Sequence, residues 1–153
     1  MSTDHDVPRT LYTIGYQRKP LSTFIGQLKE AGVDAVIDIR IRPSSQLDGY
    51  AKQDSLAFLL REGFDIAYEH HPELAPTPEL LDRYREDPDW AGYESEFIPL
   101  ITERRAEEVG REILDRYGAP CLLCFELMAE QCHRRLVAEY WASHFPGLTI
   151  VHL

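Results

Sequence analysis

Three short stretches of the sequence hold polar residues of the kinds that bind anions or transfer protons. They are Gly15–Arg18, Asp38–Pro43 and Cys124–Arg134. Guanidinium groups bind phosphate and carboxylate oxygens, carboxylates act as general acids and bases, and a thiolate acts as a nucleophile. These residue types together predict a site that binds an anion and performs chemistry on it.

Asp38 and Arg40 are separated by one residue, so their side chains share a face if the chain is extended there. Such a pair at the end of a strand can fix the guanidinium and still leave donors for an anion. Equally, it can be a structural ion pair that closes the loop. Both alternatives are open at this point, and Arg42 is a second predicted anion-binding residue.

Cys132 is predicted to lie in the first turns of a helix, beside His133 and Arg134. The positive end of the helix dipole and the neighbouring cationic groups lower a thiol pKa, as in nucleophilic or redox cysteines. The alternative is a small buried residue that packs the helix on the sheet. Successive helical residues point about 100° apart. The three side chains are therefore not expected to face one ligand.

Cys124 and Glu126 share a face of the fourth predicted strand, which places Glu126 at the mouth of the site. Cys121 and Cys124 have CxxC spacing but face opposite sides of that strand. The residues in these stretches that could ligate a metal are Asp38, Glu126, Cys132 and His133. Since no paired CxxC or HExxH spacing joins them, we predict no metal and no cofactor.

Two aromatic or imidazole patterns have structural explanations. His70 and His71 fall in a proline-rich stretch that predicts a solvated loop. Trp90, Tyr93 and Phe97 recur at helical spacing and predict core positions. Trp90 is alternatively a lid over the site.

Strand-like runs alternate with helical periodicities along the chain. The predicted strands cover residues 11–14, 33–39, 64–68, 120–125 and 148–153, and the predicted helices cover 21–31, 55–61, 78–84, 93–117 (broken near Pro99) and 131–144. This alternation predicts a single-domain three-layer α/β/α fold with a mainly parallel sheet of about five strands. The polar stretches follow strands one, two and four, so they should meet at the carboxyl edge, where such sheets bind ligands.

Length and composition fit one soluble domain. The chain has 153 residues, 44% of them hydrophobic, which argues against disorder. We predict a flexible segment at residues 1–10 and a domain at 11–153. The polar start lacks an export signal, no run approaches the roughly 18 apolar residues of a membrane span, and three closely spaced cysteines are an odd number. These features predict a reduced, cytoplasmic protein.

The net charge of −10 excludes nucleic-acid binding over the whole surface, because phosphate binding depends on Lys and Arg. The charge is unevenly distributed. Residues 61–112 hold 15 acidic and 6 basic residues, a charge of −9, and the remaining residues carry −1. The composition therefore leaves room for a basic pocket.

The polar motifs, in this order, resemble those of the DUF488 family. They are Thr13-Ile-Gly-Tyr16, Asp38-x-Arg40-x-x-Pro43-x-Ser45, and Leu122-Leu-Cys124-x-Glu126 followed by Cys132-His133-Arg134, within about residues 11–141. The resemblance implies a compact α/β domain of bacteria and archaea with these polar residues at one site, and it implies no particular reaction. Met128 and Ala129 stand where the family commonly has Asp-Pro. Met128 cannot accept a capping hydrogen bond, which leaves the start of the Cys132 helix open.

These observations predict an enzyme that acts on an anionic or phosphate-bearing, nucleotide-like small molecule or on a nucleic-acid end. The predicted catalytic residues are Asp38, Glu126 and Cys132. The predicted ligand-binding residues are Gly15, Tyr16, Arg40, Arg42, Pro43, Ser45, Cys124, His133 and Arg134. The alternative is a non-catalytic module that binds a ligand or nucleic acid.

Overall fold

Five parallel strands form the centre of the fold, in the order β3-β2-β4-β1-β5. The computed structural model describes residues 9–43 and 49–153. The strands are β1 (Arg9–Gly15), β2 (Ala35–Asp38), β3 (Ala67–His70), β4 (Pro120–Cys124) and β5 (Leu148–His152). The helices are α1 (Leu21–Ala31), α2 (Gln53–Phe58, followed by a π-helical turn at Leu59–Gly63), α3 (Pro78–Glu86), α4 (Trp90–Glu103), α5 (Ala106–Arg116) and α6 (His133–His144).

Helices cover both faces of the sheet, which confirms the predicted three-layer α/β/α fold. One apolar cluster joins α1 and α2 to the sheet, and a second joins α3, α4, α5 and α6 to the opposite face. All five residues of β4 are buried, as expected for a central strand covered on both faces. None of the helices in the part of the chain described above has the length and apolar character to span a bilayer.

The predicted break of a long helix near Pro99 is wrong. α4 continues through Pro99 and ends at Glu103, and the chain turns into α5 at Arg105, whose φ is 56°. Proline removes a backbone donor from the helix interior. Pro99 and Ser95 are exposed, so water can satisfy the carbonyl that loses its partner.

The end of β3 also differs from the prediction. His70 is the last residue of β3, and its Nε2 lies 2.8 Å from the carbonyl oxygen of Arg40. It therefore fixes the chain after β2, whereas the proline content predicted a solvated loop. His71 follows the strand and bridges Glu69 and Glu73, at 2.8 and 3.0 Å.

All strands run parallel, so their carboxyl ends lie at one edge of the sheet. β1 pairs with β4 from Tyr12 to Gly15, and Gly15 lies opposite Cys124. β2 pairs with β4 on the other side, with Asp38 opposite Leu123. This register brings the ends of β1, β2 and β4 level, as the sequence predicted.

We expect an ion-pair cluster beside β3 to make stability depend on pH. Glu69 accepts hydrogen bonds from Arg116 (2.5 Å) and from the Tyr117 hydroxyl, which link β3 to α5. Burial would raise the pKa of Glu69, but the bonds from Tyr117, His71 and Arg116 outweigh it and lower the pKa to about 2. Its stabilisation is therefore present above the unfolded pKa of about 4.3 and is lost as pH falls toward 2.

The variant Glu69→Gln should lose about 1–2 kcal/mol of unfolding free energy at pH 7. The difference from the native chain should shrink between about pH 5 and pH 2. Urea unfolding at a series of pH values measures it, with Glu112→Gln on α5 as an exposed control. A difference that is independent of pH would contradict the role of Glu69.

Candidate functional site

A cavity of about 630 Å³ opens at the carboxyl edge of the sheet. The segments after β1, β2 and β4, the start of α6, and the α3–α4 hairpin form its walls. The volume lies within the range of about 300–1,000 Å³ that is usual for small-molecule sites. Seven predicted residues line it: Tyr16, Arg40, Arg42, Cys124, Glu126, Cys132 and His133.

Asp38 and Arg40 form a buried, bidentate ion pair. Arg40 Nε and Nη2 donate to the two carboxylate oxygens of Asp38 at 2.8 and 2.6 Å, and the Arg40 backbone N–H donates at 3.1 Å. The Tyr68 hydroxyl donates to the same carboxylate. Asp38 is fully buried and does not line the cavity. Both oxygens of its carboxylate therefore accept hydrogen bonds from Arg40 or Tyr68.

Arg40 lines the cavity with one guanidinium donor unused. Its side chain is only 6% exposed, and Nη1 is buried without a hydrogen-bond partner among the described residues. The guanidinium carbon lies 5.1 Å from the centre of the Tyr16 ring. Burial alone would lower the pKa of Arg40, but the bonds to Asp38 raise it above its ordinary value. The group is therefore a fixed cation with a free donor.

Arg134 lies outside the cavity and shapes the segment that follows β4. Its side chain is fully buried. Nε donates to Thr13 Oγ1 at 3.0 Å, Nη1 to the carbonyl of Glu126, and Nη2 to the carbonyl of Leu127 at 3.1 Å. The structure thus gives it structural partners where the sequence predicted a ligand.

Two further predicted ligand residues, Gly15 and Pro43, do not line the cavity. A Cβ atom at Gly15 would collide with the carbonyl of Glu126, so Gly15 permits the close approach of β1 and the segment after β4. Pro43 is buried, and its carbonyl accepts a hydrogen bond from the Gln53 N–H at 3.0 Å. Ser45 lies outside the described residues.

Cys124, Cys132 and His133 converge at the cavity wall. Their potential ligand atoms lie within 4.8 Å of one another, and all three side chains are buried. Cys124 Sγ is 3.4 Å from His133 Nδ1. His133 Nε2 is 2.8 Å from the carbonyl oxygen of Ile39, which accepts a hydrogen bond from the Nε2–H group. Nδ1 therefore carries no proton, and Cys124 Sγ, which is also 3.9 Å from Nε2, lies over the face of the ring.

The start of α6 explains why Cys132 and His133 meet. The sequence predicted both within the helix, pointing about 100° apart. Cys132 is instead the N-cap, with extended backbone (φ −139°, ψ 141°), and α6 begins at His133. Because the helical spacing does not apply to Cys132, both side chains reach the cavity. Arg134 turns toward Thr13.

The two thiols have opposite pKa shifts. Burial raises the pKa of Cys124, but the Cys132 thiol, the Arg134 charge and the backbone N–H groups of Phe125 and Glu126 outweigh it and lower the pKa. Burial and the neighbouring Cys124 raise the pKa of Cys132 well above its ordinary value. The lowered thiol pKa thus lies at Cys124, where the sequence placed it at Cys132.

Positive charge dominates the cavity wall. Its charged residues are Arg18, Arg40, Arg42, Arg85 and Glu126. Arg42 forms an exposed pair with Asp82 at 3.2 Å. Arg18 and Arg85 form no ion pair with any residue in 9–43 or 49–153. The sequence did not predict Arg85 as a site residue, because it lies within the acidic stretch 61–112.

Aromatic residues of α3 and α4 form the outer wall. Trp90 stacks on Tyr93 with ring centres 5.2 Å apart, and Tyr84 lies 5.0 Å from Tyr93. Tyr93 and Phe97 are buried, as their spacing predicted, whereas Trp90 is half-buried and lines the cavity. Tyr84 was missed, because nothing in its local pattern distinguishes it from a helix packing residue.

The comparison with family models gives one match. The model described as "Domain of unknown function DUF488" matches residues 20–141 of the 153-residue chain. No curated protein and no solved structure matches the chain. The matched range contains the Asp38–Arg40 pair, the cysteine–histidine cluster and the α3–α4 wall, while Gly15 and Tyr16 precede it.

Removing one member of the buried ion pair should be costly. We expect Asp38→Asn to lower the unfolding free energy by about 3–5 kcal/mol, because it leaves the Arg40 charge buried without a counter-charge. Arg40→Met should recover part of this loss in the double variant. Denaturant unfolding of the two single variants and the double variant measures the coupling. Purely additive losses would contradict the pair.

Gly15 and Gly26 offer a matched comparison. Gly15→Ala should destabilise the chain, since its Cβ meets the backbone of Glu126, whereas Gly26 lies in α1 with nothing within 4 Å of such a Cβ. Gly26→Ala should stabilise by about 0.5–1 kcal/mol through helix propensity. Thermal unfolding of both variants tests the two signs. A neutral Gly15→Ala would rule out the close approach.

Proposed function

The chain belongs to the DUF488 family, and we propose that it is an enzyme acting on an anionic, phosphate-bearing small molecule of nucleotide size. The observation that carries the proposal is the buried Nη1 of Arg40, a residue of the cavity wall, which has no hydrogen-bond partner in the described part of the chain. An unsatisfied buried donor costs about 1–3 kcal/mol, more for a charged group. A phosphate oxygen would supply the missing acceptor.

The other arginines support the same ligand. Arg18 and Arg85 stand at the cavity wall without an ion pair inside the described ranges, and Arg42 contacts it while paired to Asp82. Charge-assisted hydrogen bonds from guanidinium groups to phosphate are among the strongest in proteins. We assign Arg40 to the first phosphate contact and the exposed arginines to the remaining charge.

The aromatic wall favours a ligand with a planar ring system. Trp90 and Tyr84 present aromatic surface to a cavity of about 630 Å³. Stacking of a base on an aromatic side chain contributes about 1–3 kcal/mol. A nucleotide-like molecule would combine a phosphate at Arg40 with a ring at this wall.

The cysteine–histidine cluster is our proposed chemical centre. Cys124, Cys132 and His133 line the same cavity as Arg40. Glu126 is exposed at the mouth and remains our candidate for proton transfer. Asp38 keeps only the role of positioning Arg40. Since all three cysteines are free thiols, we place the protein in the cytoplasm, where thiols stay reduced.

A non-catalytic binding module is the second candidate. One observation favours it, because the carboxylate predicted to be catalytic, Asp38, is saturated with hydrogen bonds. A module of this kind needs Arg40 but not the thiols. The two candidates therefore differ in what the cysteine variants should do.

Pyrophosphate and nucleoside diphosphates are suitable probes for the proposal. Calorimetry on chelator-treated protein should detect binding that weakens at least about tenfold in Arg40→Lys, the loss expected for a hydrogen bond to a charged group. Arg85→Met should weaken it less. The exposed Arg111, which does not line the cavity, provides the control Arg111→Met.

The enzyme and the binding module are separated by turnover. With any nucleotide that the native chain converts, Cys124→Ser should abolish conversion and leave binding nearly unchanged. Binding without conversion across nucleoside mono-, di- and triphosphates would favour the module. Pyrophosphate affinity that is equal in the native chain and in Arg40→Lys would contradict both candidates.

A further inference from the structure

We propose that Cys124, Cys132 and His133 bind one soft divalent metal ion of the zinc class, with its fourth coordination position open to the cavity. The inference rests on the proposed function only for the substrate that would meet this open position. Two thiolates and an imidazole are the ligands that zinc prefers. The sequence predicted no metal because their spacing matches no common zinc motif.

The distances suit a tetrahedral ion. With zinc bonds of about 2.3 Å to sulfur and 2.0 Å to nitrogen, tetrahedral angles separate a sulfur and a nitrogen ligand by about 3.5 Å. The observed separation of Cys124 Sγ and His133 Nδ1 is 3.4 Å. All three ligand atoms lie within 4.8 Å of one another, and a rotation of the imidazole with a small closure can bring them to coordination distance.

The imidazole is held in the tautomer that a metal ligand needs. His133 Nε2 lies 2.8 Å from the carbonyl oxygen of Ile39, so Nε2 carries the proton and Nδ1 is free to coordinate. Metal-binding histidines nearly always donate their second N–H to a carboxylate or backbone carbonyl. The edge of the ring also packs against Phe97, with centres 5.6 Å apart. The protonation of the ring is therefore set before any ion arrives. Because Cys124 Sγ is also 3.9 Å from Nε2 and lies over the ring face, coordination requires the imidazole to turn.

The site would leave one position for a reactant. Among residues 9–43 and 49–153, the cluster of potential ligand atoms contains only these three side chains. All three line the cavity that also contains Arg40. Three protein ligands with an open fourth position are typical of catalytic zinc, whereas structural zinc has four. An ion here would face water or a substrate oxygen.

The cluster has two other possible states that an experiment must separate. The cysteine thiols and the imidazole could simply hydrogen-bond to one another, with Cys124 donating to Nδ1. An oxidant could also join Cys124 and Cys132 in a disulfide. Neither state binds Zn²⁺, so metal affinity under reducing conditions distinguishes them from the proposal.

Zinc and cobalt binding to the full chain test the proposal. After removal of metal with a chelator and under a phosphine reductant, one Zn²⁺ should bind per chain in competition with a chromophoric chelator. Co²⁺ should give the near-ultraviolet thiolate charge-transfer band and the strong visible bands of a tetrahedral complex. Cys124→Ala and Cys132→Ala should each weaken Zn²⁺ binding by more than about 100-fold, beyond the loss expected for an outer-shell partner.

Cys121 provides the matched control. It lies on the same strand, packs in the apolar cluster of the opposite face and does not line the cavity. Cys121→Ala should retain the metal affinity and the cobalt spectrum. Because Cys124→Ala could fold poorly, thermal unfolding without metal is measured for each variant, and zinc should raise the transition only in the native chain and in Cys121→Ala.

The proposal is overturned if the folded native chain binds Zn²⁺ no more tightly than Cys124→Ala, or if bound Co²⁺ lacks the thiolate band. Its failure is distinguishable from failure of the proposed function. If the metal-free chain binds pyrophosphate but does not bind zinc, only the proposed metal site fails. If the chain binds zinc but not pyrophosphate, only the proposed anion-binding function fails.

Discussion

The buried ion pair of Asp38 and Arg40 is the constraint on which the site depends. A guanidinium group taken out of water must be paired and hydrogen-bonded, or the cost is several kcal/mol. Here the carboxylate of Asp38 accepts hydrogen bonds from Arg40 Nε and Nη2, while His70 Nε2 is hydrogen-bonded to the backbone carbonyl of Arg40. The bidentate geometry fixes the plane of the guanidinium and leaves the buried Nη1 without a hydrogen-bond partner among the described residues. One interaction thus closes the loop after β2 and creates its free donor.

The sequence could predict this part of the site because local rules govern it. Alternation along an extended chain placed Asp38 and Arg40 together, and parallel strand order placed their loop beside those after β1 and β4. The two alternatives for the pair, structural or anion-binding, are not exclusive. A guanidinium has five N–H donors, so it can serve a carboxylate and still present a donor to a ligand.

The remainder of the site depends on contacts that no local pattern encodes. Cys132 is the N-cap of α6, where the backbone is extended, and the helical spacing begins one residue later, at His133. Cys132 reaches Cys124 because of this extended backbone. The orientation of His133 comes from the carbonyl of Ile39, 94 residues away in the chain. The partner of Arg134 at Thr13 is 121 residues away. Long-range hydrogen bonds of this kind decide which polar residue faces the cavity.

Arg134 connects the fold of this segment to the chemistry of the cluster. It is fully buried, and no carboxylate pairs with it among the described residues, since its donors go to Thr13 and to two backbone carbonyls. Carbonyl oxygens satisfy its hydrogen bonds but leave its positive charge in place. That charge favours a negative sulfur at Cys124. Burial raises the pKa of Cys124, but the Cys132 thiol, the Arg134 charge and backbone N–H groups lower it by more. In the triplet Cys132-His133-Arg134, two side chains thus lie beside Cys124, and the third adds a buried positive charge that lowers the pKa of Cys124.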